Sequence, residues 1–369
     1  MTRRYPAPVS DPAETRVSTR RRDSGAAPGT RPGATTEPPA RIRPLWHRLW
    51  AGLALALCLA AAPPARAAAE TGDASEASEA LGGVVVSILP LHALVAAVMA
   101  GVGTPHLLVR GGASPHDASL RPSDARALSA AKLVVWAGPG LETFLVKPLR
   151  ALAGAARVLT LTEAPGMIRL KQRPGGAFEA EAGAEAEGEA DHDERGGVNP
   201  HLWLDPRNAI EIARQAAAAL AELDPGNATR YAANEARLVA RLEALDRELA
   251  ARLGPVAEVP FAVFHDAYSY LEARYGLRAL GALTVNPAVP PGAKRLAALR
   301  ARLREEGAAC VFAEPQFRPA VVAALAEGTG ARAATLDPLG ATLAPGPEAY
   351  FTLMRELADG LAACLTGRG

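Results

Sequence analysis

The sequence predicts an α/β protein of two lobes, each with a mostly parallel sheet flanked by helices, joined by one long rigid helix. Three observations carry this expectation. Short β-branched runs alternate with Ala- and Leu-rich helical stretches in two separate halves of the chain, the pattern of parallel βαβ units. One amphipathic helical period lies between the halves. At 369 residues the chain exceeds one ordinary core, given about 100–200 residues per domain.

Residues 1–40 are rich in Arg, Pro, Thr and Gly and lack an aliphatic run that could offset the entropy of ordering them. They are expected to be a disordered leader, or an upstream extension from an overcalled start. Residues 41–67 follow the order of a secretory signal peptide: basic Arg41 to Trp50, apolar Ala51 to Ala62, then Pro63, Pro64 and the small-residue end Ala65-Arg66-Ala67. The apolar stretch is short of the roughly 20 residues that span a bilayer, so cleavage is expected rather than anchoring. The predicted location is the periplasm.

Cys58 lies in the signal segment, and Leu57 before it is too bulky for a lipid-anchor motif. Cys310 and Cys364 remain as an even pair in an exported chain, which fits one disulfide; two buried free thiols are the alternative.

The first lobe, 82–222, has strand signals at Val84–Ile88, His106–Val109, Leu133–Trp136 and Val158–Leu161, with helical stretches between them. Within it, 176–197 is a Glu-, Ala- and Gly-rich insert too charged to pack, ending in Asp191, His192 and Asp193. The linking helix, within 223–254, carries Tyr231, Leu238, Leu242, Leu245 and Leu249 on one face, after Pro225-Gly226 and before Gly254-Pro255. In the second lobe, 255–369, strand signals recur at Phe261–Phe264, Ala279–Leu283, Cys310–Ala313 and Ala333–Leu336.

The net charge is +1 and no basic stretch dominates the globular part, so nucleic acid is not an expected partner. The chemistry concentrates at strand ends. His116 lies beyond the strand ending at Val109, His201 precedes a helix, His265 follows Phe264, and Asp337 follows Leu336. Ligands of parallel sheets bind beyond the carboxyl ends of the strands, so these side chains of two facing lobes can meet in one cleft. Three imidazoles and an oxygen suit a tetrahedral Zn²⁺. Glu314 also ends a strand near the cleft. It is either a partner orienting a histidine or a plain buried carboxylate. His92 is expected to be packed, and His106 exposed; Trp203 and Tyr268, beside ligand loops, are expected to pack.

Several motifs stand in order along the chain: Gly112-Ala-Ser-Pro-His-Asp-Ala-Ser-Leu-Arg-Pro-Ser-Asp, Leu133-Val-Val-Trp-Ala-Gly, Pro200-His-Leu-Trp-Leu-Asp-Pro, Val263-Phe-His-Asp-Ala-Tyr, Val311-Phe-Ala-Glu-Pro-Gln-Phe and Leu336-Asp-Pro-Leu-Gly. From about Gly82 to Cys364 the chain resembles the cluster A-I metal-binding proteins, the solute-binding receptors of ABC importers. The resemblance implies two lobes joined by one long helix with the metal between them. His116, His201 and His265 match the imidazole positions, and Asp337 or water fills the fourth. Zinc members of this family have His at the third position, where manganese members carry Glu, so His265 favours zinc. Pro115 stands where some zinc members have a Glu ligand, which closes that option. The resemblance also implies a Cys310–Cys364 disulfide, an ABC permease with its ATPase as partners, a monomeric receptor and no catalysis. The insert, with His192, Asp191 and Asp193, occupies the place of the family's accessory metal loop but is Glu-rich, so an acidic loop that only concentrates cations remains the alternative. A manganese receptor, a zinc-dependent hydrolase and a surface adhesin are the competing functional readings.

Overall fold

The computed structural model describes residues 82–177, 197–287, 291–317 and 319–367. The leader, the signal segment with Cys58, and Asp191, His192 and Asp193 lie outside them.

The first lobe begins with β1 (Val84–Val86), three fully buried valines whose branched side chains fit a strand covered on both faces. Helix α1 (Leu89–Val98) follows, with Pro90 in its first turn where a missing N–H costs nothing. Then come β2 (His106–Leu107), α2 (Pro122–Ser129), β3 (Leu133–Trp136), α3 (Val146–Leu152) and β4 (Arg157–Thr160). The four strands are parallel, in the order β2-β1-β3-β4. Parallel neighbours need long crossovers, and α1, α2 and α3 supply them.

A short strand β5 (Gly176–Ala177) precedes α4 (Pro206–Leu223) and α5 (Ala228–Leu253). The second lobe then runs β6 (Phe261–His265), α6 (Ser269–Tyr275), β7 (Ala279–Thr284), α7 (Ala293–Glu305), β8 (Cys310–Ala313), α8 (Pro319–Ala326), β9 (Arg332–Thr335) and α9 (Ala349–Leu365). Its sheet has the order β5-β7-β6-β8-β9. Strands β6 to β9 are parallel, while β5 pairs antiparallel with β7. Sequence periodicity places eight of these strands. It misses β5, which is two residues long and has no pattern of its own.

Helix α5 has 26 residues, about 39 Å at 1.5 Å per residue, and buries Tyr231, Asn234, Leu238, Leu242, Leu245, Leu249 and Leu253. The face predicted from spacing is therefore the face that packs. Asn234 is the polar member; its Nδ2 donates to the carbonyls of Val98 and Ala100 at the end of α1, satisfying groups the helix leaves open. One apolar core takes in residues of both sheets together with α1, α4, α5 and α9. The ion pairs Arg241–Glu348, Arg252–Asp359 and Arg355–Glu248 line the α5–α9 seam. They are largely exposed, so each contributes at most about 1 kcal/mol, and the apolar core holds the seam. The disulfide Cys310–Cys364 joins β8 to the end of α9.

Candidate metal centre

Both sheets have a switch point where the chain turns from one side to the other, between β1 and β3 and between β6 and β8. The second switch point carries His265 at the end of β6 and Glu314 just after β8. His116 comes from the loop after β2. His201 comes from the segment ahead of α4, where a 3-10 turn (Leu202–Leu204) is buried by its three apolar side chains. Asp205 then caps α4, its Oδ1 accepting from the Arg207 backbone N–H at 2.9 Å, with Pro206 in the first turn. These helix-start signals hold the position of His201.

The three histidines converge. Ring centroids are 4.9 Å apart for His116 and His265, 4.8 Å for His201 and His265, and 5.8 Å for His116 and His201. One ring nitrogen from each lies within 4.8 Å of the others. A tetrahedral Zn²⁺ with Zn–N of about 2.0–2.1 Å would set such nitrogens about 3.4 Å apart, a contraction that small side-chain rotations supply. The cavity they line is about 10 Å³, room for roughly one water-sized sphere, and is completed by Ser114, Pro115, Leu141, Glu314, Phe317, Pro338 and Leu339. Among the described residues, His116 Nε2 and His265 Nε2 are buried without a hydrogen-bond partner. Buried nitrogens cost free energy unless something engages them, and a cation that accepts lone pairs does so.

Electrostatics prepare the rings for this. Burial pushes the His116 imidazole down to about 3, with His265 nearby adding to the effect. Burial likewise takes His265 down to about 4, partly opposed by the charge of Asp266. His201 is held well below its ordinary value by burial and by the other two rings. All three are neutral at neutral pH, the form that ligates metal, so no proton must be displaced first.

Asp337 departs from the expectation. The sequence placed it with the three histidines, but it is not in their group. Its Oδ1 accepts from the backbone N–H groups of Leu339 and Gly340 at 3.0 Å each and from Gln316 Nε2 at 3.1 Å, and its Oδ2 accepts from Ala341 N–H at 2.6 Å. The turn consumes the carboxylate. Gly340 sits in it at φ 72°, with Leu89, Leu343 and Leu353 within 3.0–3.2 Å of where a Cβ would be, so the turn has no room for a larger residue.

Glu314 lines the cavity, its Oε1 lying 3.3 Å from His265 Nδ1 without hydrogen-bond alignment. Burial, with the charge of Asp337, raises its carboxyl well above the usual range. His92 is packed as expected, buried with Nε2 donating to the Pro105 carbonyl at 3.0 Å. His106 is not simply exposed: it is half-buried, with Nε2 2.9 Å from Asp124. Trp203 donates from Nε1 to the Pro338 carbonyl and Tyr268 from its hydroxyl to the Leu336 carbonyl, which are packing and tethering roles.

Glu142 and Asn199 are among the buried polar residues that escaped sequence reasoning. Glu142, at the first switch point, accepts from Ser87 Oγ and from the Ala137 and Gly138 N–H groups, and burial pushes it up to about 7. Asn199, two residues before His201, is fully buried beside the cluster. The only sequence signal for Asn199 was its place in the Asn-Pro-His motif.

The chain matches the model of the zinc-uptake complex component A periplasmic family over residues 84–364. It belongs to this family. The high-affinity zinc uptake system protein ZnuA of Brucella suis biovar 1 is 46% identical over 306 residues, which is 77% of this chain and 92% of that protein. The protein of the same name from Yersinia pestis is 41% identical over 293 residues, 76% of this chain and 91% of that one. A crystal structure of ZnuA superposes with a TM-score of 0.64 at 27% identity, covering 77% of this chain and 99% of that chain. The laminin-binding protein Lmb of Streptococcus agalactiae, described as a bifunctional protein with adhesin and metal transporting activity, superposes with a TM-score of 0.62 at 25% identity, covering 77% and 100%. The two-lobed α/β fold expected from sequence is that of these proteins.

Proposed function

We propose that this protein is a periplasmic receptor that captures Zn²⁺ between its two lobes and delivers it to an ABC permease and its ATPase, without catalysing a reaction. The observation that carries the reading is the His116, His201 and His265 cluster, with buried nitrogens turned on a cavity the size of one ion. A donor set of three neutral imidazoles suits Zn²⁺ better than Mn²⁺, which prefers oxygen ligands. The fourth position is assigned to a water oxygen, because Asp337 already accepts three hydrogen bonds in its turn and one from Gln316. A hydrolase would need space for an organic substrate, commonly about 300 Å³ or more, and a cavity of about 10 Å³ offers none.

Similarity to the zinc uptake proteins of Brucella suis and Yersinia pestis supports the transport role and the permease partner. The family's periplasmic description supports export, and we read 41–67 as the signal that is cleaved and the mature receptor as a monomer. The test is elemental analysis of the mature protein from about Ala68, with a competitive zinc titration. About one tightly held Zn²⁺ per chain is expected. Absence of tight zinc, or tighter manganese than zinc, overturns the reading.

A further inference from the structure

We infer that Asn199 is a positioning residue that sets the tautomer of His201 and ties it to the strand end carrying His265; this rests on the zinc-receptor reading. The hydrogen-bond partners fix the amide orientation and the position of the ring hydrogen. Asn199 Oδ1 lies 3.1 Å from the backbone nitrogen of His201, a group that can only donate. Asn199 Nδ2 lies 3.2 Å from the backbone carbonyl of Asp266, a group that can only accept. The amide therefore has one orientation. His201 Nδ1 is 2.8 Å from the same Oδ1, so Nδ1 carries the hydrogen. A neutral imidazole has one N–H, which leaves the lone pair on Nε2.

The same amide spans the two lobes. Its Nδ2 also donates to Ser269 Oγ at 3.1 Å at the start of α6, and Asp266 directly follows His265. The Asn199 carbonyl accepts from Tyr270 Oη at 2.9 Å, and the Asn199 N–H donates to the Leu170 carbonyl at 2.8 Å. With all of its polar groups engaged and no exposure, Asn199 holds one rotamer. The second and third imidazoles are thus registered to each other through one side chain. Outer groups of this kind commonly change metal affinity about 10- to 100-fold.

The experiment is long-range ¹H–¹⁵N NMR of the histidine rings in the metal-free protein at neutral pH, with zinc affinity measured by competition. In the wild type, His201 is expected as the Nδ1–H tautomer. Asn199→Leu removes the acceptor; His201 should shift toward Nε2–H and zinc affinity should fall about 10- to 100-fold. Asn199→Asp keeps an acceptor, so it should retain the Nδ1–H form and recover most of that loss. A wild-type His201 in the Nε2–H form overturns the inference, and this needs no variant to fold. So does an Asn199→Leu protein that binds zinc within about twofold of wild type. Failure of the wild type to bind zinc at all would overturn the receptor reading instead and leave the tautomer assignment standing.

Discussion

Replacing His265 by Ala removes the central imidazole of the cluster, the one whose centroid lies within 5 Å of both others. Losing a group that only orients a ligand costs about 10- to 100-fold in affinity, so losing a ligand should cost at least about 100-fold, or about 2.7 kcal/mol. Zinc binds the folded state, and its stabilisation grows as RT ln(1 + [Zn]/Kd), so at saturating zinc the variant forfeits that same 2.7 kcal/mol. At about 2 °C per kcal/mol for a chain of this size, the zinc-induced rise in Tm should be smaller by about 5 °C. The assay is thermal unfolding of each protein with and without zinc, each zinc-free melt serving as its own reference. That subtraction matters because His265 is 2% exposed, and its deletion leaves a void whatever the metal does. A zinc-induced rise within about 1 °C of wild type would refute the assignment of His265 as a ligand.

Asp337→Ala should behave in the opposite manner. Three backbone N–H groups and the Gln316 amide lose their acceptor, so the zinc-free protein should lose about 1–3 kcal/mol in denaturant unfolding, while zinc affinity falls less than in His116→Ala. Zinc affinity should stay nearly level as pH falls from 8 to about 5 and drop only as it approaches 4. Burial lowers His116 to about 3 and His265 to about 4, so protons compete for these nitrogens only there; ordinary histidines would begin losing metal near pH 6.5, which a titration at stepped pH distinguishes. Replacing Cys310 and Cys364 together by Ser opens a loop of 54 residues, worth about 4 kcal/mol in the chain-entropy account; unfolding midpoints should fall accordingly, with zinc stoichiometry unchanged.

The elements legible in the sequence are those whose stability is local or repetitive. Val84–Val86 and Leu133–Trp136 form strands because β-branched and aromatic runs buried on both faces have few other uses. The face of α5 was visible because burial there repeats at helical spacing. Helix α4, expected after His201, also starts on a local signal, Asp205 followed by Pro206. Strand β5 was not, since two residues acquire strand geometry only from the neighbouring edge of β7.

By itself the sequence determined the parallel α/β lobes and the connector, because side-chain periodicity is a property of short segments; it marked the three imidazoles as strand-end candidates, and the resemblance implied their role as ligands. Tertiary structure alone decided what the remaining polar groups do. Asp337 and Asn199 are both short polar residues beside ligand loops, and nothing in their neighbours separates a ligand from a tether. The difference arises when folding delivers three backbone N–H groups to Asp337, and the His201 ring and the Asp266 carbonyl to opposite ends of Asn199. Buried donors and acceptors must be paired, and the pairing is settled by whatever the rest of the chain brings within reach.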